Sequence, residues 1–194
     1  MTQRTITVYL GANPGVDPAF AAAAVELGAA IAGAGHRLVY GGSRVGLMGV
    51  LADAALAAGG EVVGFIPEHL AAREIAHTGL TELVVVSSMH ARKAAMVEHA
   101  DGFVALPGGY GTLDEIIEVL TWNQIGTIAK PVAFLDVNGY YRALFEFFDS
   151  AADAGLLMPA HRAAAQRAGT VHEAVTIATG PAPANVSKWA DPTI

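Results

Sequence analysis

Short apolar runs recur along this chain, each followed by a turn rich in glycine, serine or proline and then by a longer stretch with helical spacing. The runs are Thr5 to Leu10, Arg37 to Tyr40, Glu61 to Ile66, Glu82 to Val86, Gly102 to Leu106 and Pro131 to Leu135. Their brevity and β-branched content predict buried strands. A helix is predicted from Pro18 to about Gly33, with Asp17 as a ready N-cap and proline at the first helical position. Further helices are predicted over Leu47 to Ala58, Met89 to Ala100, Leu113 to Gln124, Tyr140 to Ala154, Pro159 to Ala168 and Val171 to Ala178, with weaker helical character from Glu68 to His77. Strands that alternate with helices pair in parallel and need cover on both faces. The expected fold is therefore α/β, a Rossmann-like doubly wound parallel sheet with helices on both faces. A single domain over residues 1–180 accounts for the pattern, and the aperiodic stretch from Pro181 to Ile194 reads as a loosely ordered tail.

A hydrophobic content of 53% and a mean hydropathy of +0.43 raise the question of a membrane. The excess lies in alanine and short valine and isoleucine runs, and no segment reaches the roughly 18 uninterrupted apolar residues of a spanning helix. Met1 to Arg4 leads straight into the first strand and lacks the long apolar region of a secretory signal, so a cytoplasmic protein is expected. The chain has no cysteine, which excludes disulfides, thiolate metal sites and thiol nucleophiles. A formal net charge of -7 argues against general nucleic-acid binding, so any phosphate site must be local. The seven histidines show no HExxH spacing that would set two ligands on one helix face beside a base, so no metal motif is read.

The chemistry concentrates at Leu106-Pro107-Gly108-Gly109-Tyr110-Gly111-Thr112-Leu113-Asp114-Glu115. A buried strand, a glycine-rich turn and a helix N-terminus together favour an anion, because free N–H groups and the helix dipole both point at it. Gly108 to Gly111 are the expected phosphate grip. The dinucleotide signature GxGxxG is absent, since the first turn reads GANPG and the second, Gly41 to Gly46, reads GGSRVG. The second turn also has Leu47-Met48 where a Walker loop needs lysine and a hydroxyl. Spacing alone leaves Gly41 to Gly46 balanced between phosphate binding and tight packing.

Thr112 and Glu115 fit a capping box, T-x-x-E, and pattern alone favours that structural reading. On the predicted helix, Leu113, Ile116, Ile117, Leu120 and Gln124 form one stripe, with Glu115, Glu118 and Trp122 on the opposite side. Carboxylates at the mouth of an anion site suit a ribose or a developing cation better than a phosphate. In the preceding helix, Lys93 interrupts the stripe Met89, Met96, Val97, Ala100 and Arg92 borders it, so the two cations either snorkel outward or face a site. Trp122 and the pair Tyr140-Tyr141 read as packing residues.

Ser88-Met89-His90-Ala91-Arg92-Lys93 and Pro107 to Glu115 together closely resemble the LOG family of cytokinin riboside 5′-monophosphate phosphoribohydrolases, whose motif is PGGxGTxxE. The likeness runs from the first strand to about Ala154 and takes in Gly46-Leu47-Met48-Gly49, Arg73-Glu74-Ile75, Thr121-Trp122 and Gly139-Tyr140-Tyr141. It implies a hydrolase that cleaves the N-glycosidic bond of AMP or an N6-substituted AMP, releasing cytokinin or adenine and ribose 5-phosphate. It further implies Arg92 and Glu115 as the catalytic pair. Substrate contacts would fall on Glu74, Lys93, Gly108, Gly109, Tyr110, Gly111, Thr112, Leu113, Asp114, Glu118 and Thr121. A homodimer with no metal or organic cofactor is implied as well. Whether the reaction inverts or passes through a covalent ribosyl intermediate stays open, because it turns on a second carboxylate, Glu118 or Glu74. The rival reading on the same fold is a non-catalytic nucleotide or molybdenum-cofactor carrier.

Overall fold

The computed structural model describes residues 2–73 and 75–183. In chain order these form β1 (Thr5–Tyr9), α1 (Pro18–Gly33), β2 (Arg37–Tyr40), α2 (Gly46–Ala57), β3 (Val62–Pro67), α3 (Glu68–Ala71), β4 (Glu82–Val86) and α4 (Met89–His99). There follow β5 (Gly102–Ala105), α5 (Tyr110–Gln124), β6 (Val132–Leu135), a 3-10 turn (Val137–Gly139), α6 (Arg142–Asp153), α7 (Pro159–Ala164), β7 (Ala165–Ala168) and α8 (Val171–Ala178). All pairings among these strands are parallel, in a seven-stranded sheet of order β4-β3-β2-β1-β5-β6-β7. The chain winds outward from β1 to β4, then returns to the other side of β1 with β5. The crevice beyond the carboxyl ends of β1 and β5 is thus the topological switch point, where such sheets bind ligands.

Strand alternation splits the core in two. Ile6 and Val8 of β1 join Leu38, Tyr40 and Val104 under Leu27, Ile31 and Leu51 of α1 and α2. Tyr9 faces the other way and joins Val39, Phe65, Phe103 and Phe134, covered by Met96, Ile116, Phe145 and Phe148. Thr7, fully buried on that second face, donates its hydroxyl to the Met96 carbonyl at 3.0 Å. Helices on both faces of a parallel sheet meet the doubly wound expectation.

The seventh strand corrects the sequence reading, which carried a helix from Pro159 through Ala168. That helix stops at Ala164, and Ala165 to Ala168 pair residue for residue with Val132 to Leu135. Alanine favours helix locally, but the open edge of β6 supplies ladder hydrogen bonds that outweigh a propensity of a few tenths of a kcal/mol per residue. The terminal tail falls mostly on residues 184–194, outside the described residues. No described helix is long and apolar enough to cross a membrane.

Candidate active site

The ends of β1, β2, β3 and β5 converge on one cavity of about 670 Å³ at the switch point. Leu10 and Gly11 enter from β1, Gly41 and Ser43 from β2, and Pro107 to Gly109 from β5. Met89 and Arg92 of α4 and Gly111, Thr112 and Glu115 of α5 complete its polar side. Ile66, Leu70, Ile75, Met48 and Val45 line an apolar part, and Tyr140 stands against the glycine turn.

Helix capping differs around this cavity. Asp17 caps α1 through the Ala19 N–H at 2.9 Å, and Ser88 caps α4 through the Ala91 N–H at 3.1 Å. By contrast α5 begins at Tyr110 with Gly109 as N-cap, and no side chain caps it. This corrects the capping-box reading: Thr112 already lies inside the helix, and Glu115 is a turn further on. The helix starts earlier than the local signature suggests because glycine is tolerated at an N-cap. The backbone N–H groups of Gly109, Tyr110, Gly111 and Thr112 accordingly meet no acceptor among the described residues. A Cβ at Gly109 or Gly111 would meet nothing within 4 Å, so these glycines leave open space over the helix end.

The buried face of α5 is Thr112, Glu115, Ile116, Val119 and Asn123, not the stripe expected from the sequence. Leu113, Ile117 and Leu120 form a second, half-buried apolar face. Glu115 therefore points inward, and so does Arg92 on α4; their side chains are only 11% and 9% exposed. Arg92 does not snorkel. Its Nη2 lies 3.6 Å from Glu115 Oε1, Nη1 rests 3.6 Å from Met89 Sδ, and Nε is buried with no hydrogen-bond partner among the described residues. Burial raises the Glu115 pKa, with Arg92 pulling it back in part and Asp114 pushing it up further. A guanidinium that lacks a full set of acceptors, beside a carboxylate short of solvation, is poised for a polar substrate.

Lys93 turns to the outer side of α5, where Nζ lies 3.0 Å from Asp114 Oδ2 and 3.3 Å from Glu118 Oε2. Those hydrogen bonds and charges raise its pKa against the opposing effect of burial, which is the largest single influence. Lys93, Asp114, Glu118, Tyr110, Leu113 and Thr121 are not in the cavity wall of this single chain. Thr121 donates to the Ile117 carbonyl at 2.8 Å, and Tyr110 is almost fully exposed. Glu74 lies outside the described residues. Among the described residues Glu115 is the one carboxylate lining the cavity, and no three His, Asp or Glu side chains converge as a metal site requires.

Sequence reasoning missed Met48, Met89 and Tyr140 as cavity residues and left Gly41 balanced between phosphate binding and packing. Gly41 has a specific reason to be glycine, since a Cβ there would stand 1.8 Å from Arg92 Nη2. In the same turn Gly46 has φ +60° and would place a Cβ 1.9 Å from the Ala12 carbonyl oxygen, so packing fixes that glycine. The first of these was detectable only by knowing that Arg92 turns toward β2.

Comparison with known proteins follows this geometry. The family described as possible lysine decarboxylase matches residues 48–178. The cytokinin riboside 5′-monophosphate phosphoribohydrolase of Rhodococcoides fascians is 52% identical over 162 residues, covering 83% of this chain and 82% of that protein. The chain belongs to the LOG family. LOG1 of Arabidopsis thaliana is 44% identical over 159 residues, covering 82% of this chain and 75% of that one. Among solved structures, the molybdenum cofactor carrier protein of Chlamydomonas reinhardtii superimposes with a TM-score of 0.69 at 26% identity, covering 90% of this chain and 95% of its own. The LOG fold is thus common to proteins named as hydrolases and as carriers.

Proposed function

We propose that this LOG-family protein hydrolyses the N-glycosidic bond of AMP or an N6-substituted AMP, giving the free base and ribose 5-phosphate. The observation that carries the reading is the buried Arg92–Glu115 pair in the wall of the switch-point cavity. Relatives at 43–52% identity bear the phosphoribohydrolase name, against 26% identity to the carrier, and this favours turnover over carriage. A lysine decarboxylase is a poor fit, because a Schiff base needs a free lysine. Of the described lysines, Lys93 is engaged with Asp114 and Glu118, Lys130 donates to the Val97 carbonyl at 2.7 Å, and neither lines the cavity.

In this reading the open N–H groups of Gly109 to Thr112 hold the 5′-phosphate, helped by the α5 dipole. Departure of the base leaves an oxocarbenium-like ribose, and the Glu115 carboxylate, held in a poorly solvated wall, stabilises that charge or activates the attacking water. Arg92 acts as a fixed cation in the cavity wall that orients the substrate; a guanidinium is too weak an acid to be the proton donor. Glu118 is occupied by Lys93, so the described carboxylates favour a single acidic residue at the sugar.

A homodimer accompanies this function. The half-buried stripe Leu113, Ile117, Leu120 and the exposed Phe147 and Leu156 offer an apolar surface for a second copy. Lys93, Asp114, Glu118 and Thr121, outside the cavity wall of their own chain, would then reach substrate only in the assembled pair. A phosphorylated substrate does not cross membranes unaided, which suits a cytoplasmic enzyme. The test is incubation with AMP and with N6-isopentenyl AMP, followed by chromatography of the free base. Release from either supports the reading; tight binding of both without release would favour the carrier.

A further inference from the structure

The turn that precedes α5 is held by its carbonyls. The Leu106 carbonyl accepts from the Tyr141 hydroxyl, the Pro107 carbonyl from the Gly11 N–H at 3.1 Å, and the Gly108 carbonyl from the Tyr140 hydroxyl at 2.7 Å. Three consecutive oxygens are thus tied to three donors from β1 and the β6–α6 connection. The Gly108–Gly109 peptide needs such a tie most. It is flanked by glycine on both sides, so little opposes its rotation. Rotated, it would turn a carbonyl oxygen toward an anion in place of an N–H.

We propose that Tyr140 is a positioning residue for the phosphate turn: its hydroxyl holds the Gly108 carbonyl and so fixes the Gly109 N–H for a phosphate monoester. In a trans peptide the C=O and N–H point in opposite directions, and anchoring one sets the other. No cis peptide occurs among the described residues. The Gly109 N–H begins the run of N–H groups that find no acceptor among the described residues.

Tyr140 is itself well located for this task. Its ring stands edge-on to Phe20 at 5.5 Å and to Tyr141 at 5.1 Å. The preceding Asn138, at φ 53°, donates to Asp17 Oδ2 at 2.9 Å, and Asp17 caps α1. The Tyr141 N–H donates to Asp136 Oδ1 at 2.7 Å. With the backbone held on both sides of Tyr140, its hydroxyl cannot follow a peptide that turns away. Yet the side chain is 45% exposed, so the core does not depend on it.

The inference rests on the nucleotide-monophosphate reading of the cavity. It is tested in the slow Glu115→Gln background by titrating proteins with and without Tyr140→Phe calorimetrically with AMP and with adenosine, with kcat and KM for base release measured in parallel in wild type and Tyr140→Phe. Loss of one neutral hydrogen bond to the turn predicts about tenfold weaker AMP binding and a matching rise in KM. Adenosine affinity, kcat and melting temperature should stay near wild type. Unchanged AMP affinity, or an equal loss for adenosine, would overturn the positioning role. Glu115→Gln protein with Tyr140 intact that binds AMP no better than adenosine would instead overturn the phosphate reading beneath it, and the role of Tyr140 with it.

Discussion

Gly41→Ala adds one methyl group where the structure has an arginine. The new Cβ would lie 1.8 Å from Arg92 Nη2, and real Cβ contacts do not fall below 3.0 Å, so the guanidinium must retreat by about 1.2 Å. The backbone at Gly41 is not in the left-handed region, and the clash falls on the far end of a flexible side chain. Stability should consequently drop only modestly, within the ~1–3 kcal/mol of ordinary overpacking. Activity should suffer far more. The Arg92–Glu115 contact is 3.6 Å, and a guanidinium displaced by about an ångström no longer keeps that geometry. Misplacement of a catalytic group by about 1 Å can lower a rate on the order of 100-fold. The assay is kcat for base release, alongside thermal melting, in wild type, Gly41→Ala, Arg92→Ala and the double variant. Because the methyl acts through Arg92, it should add little once Arg92 is gone. A Gly41→Ala enzyme with near-wild-type kcat, or a full additional loss in the double variant, would refute the argument.

Three further outcomes follow from the same geometry. Burial raises the Glu115 pKa from its ordinary 4.5, so the native state binds the extra proton and loses stability as pH rises from 4.5 through the raised value. Glu115→Gln should therefore gain melting temperature relative to wild type at pH 7 and gain less at pH 4; an equal difference at both would deny the raised pKa. If the carboxylate is the working form, wild-type kcat/KM should rise with pH on an acid limb set by that same raised value, and a limb at or below 4.5 would count against it. Asn123 donates to the Lys130 carbonyl at 2.9 Å and accepts the Lys130 N–H at 3.0 Å, fastening the end of α5 to the entry of β6. Asn123→Ala should lower stability by about 1–3 kcal/mol in urea denaturation while leaving the chemistry intact.

The alternation of apolar runs and helices carried most of the fold, because strand burial on two faces and helix amphipathicity are local properties of the chain. Ala165 to Ala168 escaped because its strand character comes from β6 alone. The pairing of Arg92 with Glu115 came from family resemblance, and periodicity misled: α5 has two apolar faces, and the more hydrophobic stripe is the half-buried one. Thr112-x-x-Glu115 satisfied a capping signature at a helix that starts three residues earlier than that signature implies. Local pattern cannot reveal that an N-terminus is left uncapped for a ligand. Nor could it assign Tyr140, which read as packing, since the Gly108 carbonyl it holds is 32 positions away.

The central claim is that Glu115 acts on the sugar carbon and is not needed to hold the nucleotide. Single-turnover base release from N6-isopentenyl AMP, with enzyme in excess, tests it directly in wild type and Glu115→Gln when nucleotide binding is measured on the same samples. The account predicts bound nucleotide in both proteins and a release rate lower by about 100-fold or more in the variant, the usual scale for a lost acid–base or charge-stabilising group. Release at the wild-type rate from bound nucleotide in Glu115→Gln would contradict it.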